Sequence, residues 1–71
     1  MVEMVYVDSS NIEAIGFDAN AQELHVRFLS GGYYVYSGVP QQVYDGLMAA
    51  PSKGSYLNRE IKNVYPYARQ D

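Results

Sequence analysis

Seventy-one residues with a formal net charge of −3 and no cysteine describe one small domain, since a chain of this length has material for a single core. Disulfides and thiolate metal sites are excluded, and the negative charge argues against a general nucleic-acid coat. A domain this small buries only roughly 60% of the surface its unfolded chain exposes, so eight Tyr and two Phe are the evident source of extra buried area.

The first strand signal is Ile12-Glu13-Ala14-Ile15-Gly16-Phe17, ended by the turn cluster Asp18-Ala19-Asn20. Leu24-His25-Val26-Arg27-Phe28 then alternates, with Leu24, Val26 and Phe28 on one face, the mark of a half-buried antiparallel strand. Ser30-Gly31-Gly32 predicts a hairpin, because glycine takes positive φ without steric cost. Tyr33-Tyr34-Val35-Tyr36-Ser37 is the third strand, with Tyr34 and Tyr36 on one face and Tyr33 and Val35 on the other. One tyrosine face is expected to pack on helices and the other to form an exposed aromatic patch.

Pro40 suits the first position of a helix. From it Val43, Tyr44, Leu47 and Met48 recur at helical spacing over 40–49, although Gly46 weakens that helix by roughly 1 kcal/mol relative to alanine. Pro51 stops it. Ser52-Lys53-Gly54-Ser55 is a turn able to cap a second helix over 55–63. Leu57, Ile61 and Val64 form its buried stripe, Asn58 sits at the stripe's edge as an amide in need of partners, and Tyr65-Pro66-Tyr67 reads as an irregular tail. Strand runs followed by helix runs predict an α+β domain spanning 1–71. Its expected architecture is an antiparallel meander of three strands, or four with the N-terminal segment, with both short helices on one face.

Ser9-Ser10-Asn11-Ile12, Gly16-Phe17-Asp18, Leu24-x-Val26-x-Phe28, Tyr34-Val35-Tyr36 with Val39-Pro40, Val43-Tyr44, and Ser52-x-Gly54-x-Tyr56-Leu57-Asn58 with Ile61 follow one another in this order. In that order they resemble the KTSC domain family, a module found alone in bacteria and at the C-terminus of some lysyl-tRNA synthetases. Leu57 stands where an aromatic is common in that family. The resemblance implies a small module without established activity, for which RNA binding is suggested by its attachment to a synthetase.

No catalytic arrangement emerges. His25 is the sole histidine, mid-strand between Glu23 and Arg27, and a surface or partly covered cross-strand role fits it best. Glu23 and His25 supply two metal ligands at most, short of the three or four a site needs. The acids sit singly on polar faces or in turns, not paired in an apolar pocket. No cofactor fingerprint is present, no metal is expected, and the Ser52–Ser55 turn lacks the second glycine and preceding strand of a nucleotide-binding loop. No apolar run of about 18 residues occurs, so no membrane-spanning helix is predicted. The N-terminus lacks the pattern of a secretory signal, so a cytoplasmic location is expected.

Two binding functions remain open. Residues 1–50 hold six acids against Arg27 alone, whereas 51–71 hold Lys53, Arg59, Lys62 and Arg69 against Glu60 and Asp71. The first reading is RNA binding: Lys53, Arg59 and Lys62 on phosphates with Arg69 as a secondary fourth candidate, Tyr34 and Tyr36 as further candidate contacts, and Tyr56, Tyr65 or Tyr67 adding stacking. Three or four phosphate contacts predict a log–log salt slope of about −2 to −3. The alternative is a protein-interaction or self-associating module built on the tyrosine-rich sheet.

Overall fold

The alternation of Leu24, Val26 and Phe28 makes the central strand one-sided, and the computed structural model, described over residues 2–70, is built around it. Five strands, β1 (Val5–Tyr6), β2 (Ile12–Asp18), β3 (Glu23–Phe28), β4 (Tyr33–Ser37) and β5 (Tyr67–Arg69), form one antiparallel sheet in sequential order. The expected α+β meander is present, with its N-terminal strand and one strand more. The Tyr65–Tyr67 region is therefore not an irregular tail throughout: β5 pairs with β4, Tyr34 opposite Arg69 and Tyr36 opposite Tyr67. Three residues behind a proline carry too little alternation to announce a strand, and the pairing is made by tertiary contact.

The turns follow their side chains. Asp18 Oδ1 accepts hydrogen bonds from the Asn20 and Ala21 amides at 3.1 and 3.2 Å, closing the β2–β3 connection. In the β3–β4 hairpin Gly31 has φ +106, a conformation that L side chains rarely adopt.

Helix α1 (Gln41–Ala49) begins one residue later than predicted, with Pro40 extended at the cap position instead of the first turn. The second helical segment differs more. It starts at Lys53, where Ser52 Oγ accepts from the Ser55 amide at 3.4 Å. Four α-helical residues, α2 (Lys53–Tyr56), run straight into a π-helical turn, Leu57–Ile61, closed by the Lys62 amide on the Leu57 carbonyl at 2.8 Å. The wider turn keeps Leu57 and Ile61 buried but ends the stripe there, so Val64 is 60% exposed. Asn58 is also exposed and is not the buried amide expected from its position. Asn11, itself exposed, lies against the Ser52–Ser55 turn, its Oδ1 2.6 Å from where a side chain on Gly54 would begin.

Both helices cover one face of the sheet. Leu47, Val39, Leu57 and Ile61 pack on Ile12, Ile15, Leu24, Val26 and Tyr36, all essentially without solvent contact. A stacked pair, Phe17 and Tyr44 with ring centroids 4.8 Å apart, joins β2 to α1. The opposite face is partly roofed by the N-terminal segment. A Cβ added at Gly16 would lie 2.7 Å from Met4 Sδ and 2.9 Å from the Glu3 carbonyl.

Gly46 has a packing reason to be in a helix. A Cβ there would fall on the Tyr56 hydroxyl and within 2.9 Å of Tyr56 Cζ, so the bare backbone seats the ring that joins α1 to α2. Gly46→Ala is accordingly expected to destabilise the domain by about 1–3 kcal/mol through overpacking, despite a helix-propensity gain of roughly 1 kcal/mol. In a Tyr56→Ala background the same change should become stabilising. Urea midpoints for the four proteins measure this, and a stabilising effect in both backgrounds would refute the packing role.

Candidate functional site

The sheet alternation and the π-turn together build one basic, aromatic cleft. On the helix-covered face, β4 contributes Tyr34 and Tyr36, and β5 contributes Tyr67 and Arg69 directly opposite them. Tyr67 is the hub of the ring cluster, with centroids 5.4 Å from Tyr34 and 5.5 Å from Tyr36 at interplanar angles of 49° and 44°. Phe28 meets Tyr34 edge-on at 5.5 Å, a geometry that places positive ring edge against negative face. The Arg69 guanidinium lies 5.7 Å from the Tyr34 ring centroid, within cation–π range. Lys62, the residue that ends the π-turn, lines the same cleft. With Ser30 and Gly32 of the hairpin, these residues enclose an open cleft of about 390 Å³, within the size range of ligand pockets.

Of the six residues singled out in the sequence, the fold brings three together here: Tyr34, Tyr36 and Lys62. Tyr36 is only 2% exposed, so its ring is core and only its rim borders the cleft; it has no open face for stacking. The other three stand elsewhere. Lys53 folds back, its ammonium donating to the Ala50 carbonyl at 3.2 Å, and so caps α1 instead of waiting for a phosphate. Tyr56 is the ring seated on Gly46. Arg59 lies over Tyr56 at 5.7 Å and donates from Nε to Glu60 at 3.0 Å, so its charge is locally balanced. Arg69 and Tyr67, counted in the sequence only as secondary contributors, are central. Their place depends on β5, which the sequence did not reveal.

The opposite face holds a second constellation. His25 Nδ1 is 2.8 Å from the Tyr33 hydroxyl, and Nε2 lies 3.6 Å from Glu23 Oε1. The His25 side chain is 15% exposed, which makes it the partly covered cross-strand residue expected. The Arg27 guanidinium sits over Tyr33 at 5.1 Å. The two tyrosine faces are thus divided as expected, but the Tyr33 face is half-covered and not a bare aromatic patch.

Burial pushes the Tyr36 phenol above its ordinary value of 10.0, and charge on Tyr67 and Tyr34 pushes the same way. The native state therefore holds this proton where the unfolded chain has released it. Its contribution to stability is complete below pH 10.0 and is lost as pH rises beyond that value. Denaturant midpoints should fall above pH 10.0, and Tyr36→Phe should flatten that fall; an equally steep decline in the variant would acquit Tyr36.

A family model described as the KTSC domain matches residues 8–65. The chain is similar to a protein of Tsukamurella paurometabola, with 46% identity over 56 residues that span 79% of this chain and 84% of the relative. An uncharacterized protein of Stutzerimonas stutzeri is 37% identical over 71 residues, covering 99% of this chain and 100% of its own. A lysine–tRNA ligase of Nostoc sp. is 38% identical over 60 residues, which are 84% of this chain but 11% of the ligase. The crystal structure of a KTSC domain protein from Yersinia pestis superposes with a TM-score of 0.97 at 31% identity, each chain covered fully.

Proposed function

We propose, from the premise that this chain belongs to the KTSC domain family, that it is a non-catalytic module binding single-stranded RNA in the cleft between β4–β5 and the π-turn. One observation carries the reading: Lys62 and Arg69 line a single open cleft together with the Tyr34–Tyr67 ring pair. Cations in the cleft suit phosphates, and a tyrosine floor suits a stacked base, which every base can offer regardless of sequence. The similarity to part of a lysine–tRNA ligase supports RNA as the ligand class.

Two cations facing the cleft make a smaller electrostatic footprint than the four counted along the sequence. With about two phosphate contacts the log–log salt slope is about −1.4, and the acidic remainder of the molecule keeps affinity modest. Lys62→Glu combined with Arg69→Glu should abolish binding of a mixed-sequence RNA oligomer, whereas Arg59→Glu should change affinity by no more than about threefold, as for an exposed charge already paired. Fluorescence anisotropy at several salt concentrations reads both. Binding that survives the double reversal, or a slope near zero, would exclude this site.

The competing reading, a protein-interaction module, rests on Tyr6, which is 75% exposed on the edge strand β1. It requires that Tyr6→Ala weaken self-association or partner capture while the Lys62 and Arg69 reversals do not. Sedimentation of the wild type and these variants separates the two readings.

A further inference from the structure

We infer that the domain holds a second subsite for the same ligand on the opposite face of the sheet, reached by one nucleic-acid strand crossing the tip of the β3–β4 hairpin. This rests on the RNA-binding reading and extends it. A second open trough of about 400 Å³ lies behind the first, lined by Arg27, Tyr33, Gln70, His25, Val35 and Gly31.

The two troughs are consequences of one alternation. Arg27 and Phe28, Tyr33 and Tyr34, and Gln70 and Arg69 are chain neighbours whose side chains serve opposite faces. Both troughs therefore stand at the same end of the sheet, back to back. Gly31 lines the second while its neighbours Ser30 and Gly32 line the first, so the hairpin tip is their shared lip. The lip is unobstructed: a Cβ at Gly31 would meet nothing within 4 Å.

The second trough repeats the chemistry of the first. Arg27 is exposed and lies over the Tyr33 ring at 5.1 Å, as Arg69 lies over Tyr34. The Tyr33 hydroxyl is pinned by His25 at 2.8 Å, which fixes the ring as a platform. Gln70 adds an amide that can both donate and accept at a base edge. A strand that spans a sheet layer of about 10 Å, at about 3.4 Å or more per nucleotide, needs at most about three nucleotides to pass from one trough to the other. Arg27, the one base in an otherwise acidic first fifty residues, is then part of the binding surface and not an isolated surface charge.

The test compares a 5′-phosphorylated uridine dinucleotide, whose two phosphates suffice for the first cleft, with an oligouridylate of about eight nucleotides on wild type, Arg27→Ala and Lys62→Glu, by fluorescence anisotropy, with amide spectra confirming that each variant is folded. The longer RNA should bind about tenfold tighter than the dinucleotide, as expected for one added stacked base and phosphate. Arg27→Ala should remove that gain and lower the longer RNA's salt slope by about 0.7, leaving dinucleotide affinity unchanged; Lys62→Glu should weaken both. If both RNAs bind and respond to Lys62→Glu, but Arg27→Ala has no effect or the same effect on both lengths, the second subsite is overturned while the first stands. If neither RNA binds the wild type, both fall.

Discussion

Everything in this domain hangs on the one-sided burial of β3 and β4. Leu24 and Val26 lie on the helix-covered face with no solvent contact, opposite Tyr36 and Tyr34 in the neighbouring strand. The face can stay dry only because Leu47, Leu57 and Ile61 close over it from two short helices, neither of which is long enough to be stable alone. Sheet and helices are therefore one cooperative unit. The tyrosines contribute twice: their ring carbons enlarge a small core, and their hydroxyl-bearing rims reach water at its boundary. That boundary is where the cleft lies.

Much of this was legible in the residues. The period-two pattern of Leu24, Val26 and Phe28 and the glycines of the hairpin specified the central strands, and the 3.6-residue recurrence of Val43, Leu47 and their neighbours specified α1. Two elements were not legible, for the same reason. β5 is three residues long with no inward alternation, and its existence depends on β4 presenting a free edge. The π-turn, Leu57–Ile61, is built of residues that an α-helix accepts equally well, so nothing in its local pattern announces the wider turn. Contacts distant in sequence decide β5, and local propensity is silent on both.

The candidate site was half-legible on the same grounds. Lys62 and Tyr34 could be chosen from charge and aromatic clustering, and they line the same cleft. Lys53 and Arg59 were chosen by the same clustering, but their partners are a backbone carbonyl and an adjacent glutamate. Charge counting along a chain cannot see such local satisfaction. The combination that matters, Tyr67 and Arg69 beside Tyr34, needed the strand that the sequence did not show.

The pairing of β5 with β4 also has a kinetic meaning. β1 to β4 are joined by short turns, so each can zip onto its predecessor as soon as both exist. β5 must return to β4 after both helices have been made, across the longest loop in the sheet, and such closures come late because chain entropy is lost before contacts compensate. Loop closure therefore leads one to expect the floor of the cleft to assemble late. It is also a short edge, three residues long, that can fray without unfolding the core. A surface whose platform can loosen locally is one on which a bound strand would order the protein as much as the protein orders the strand.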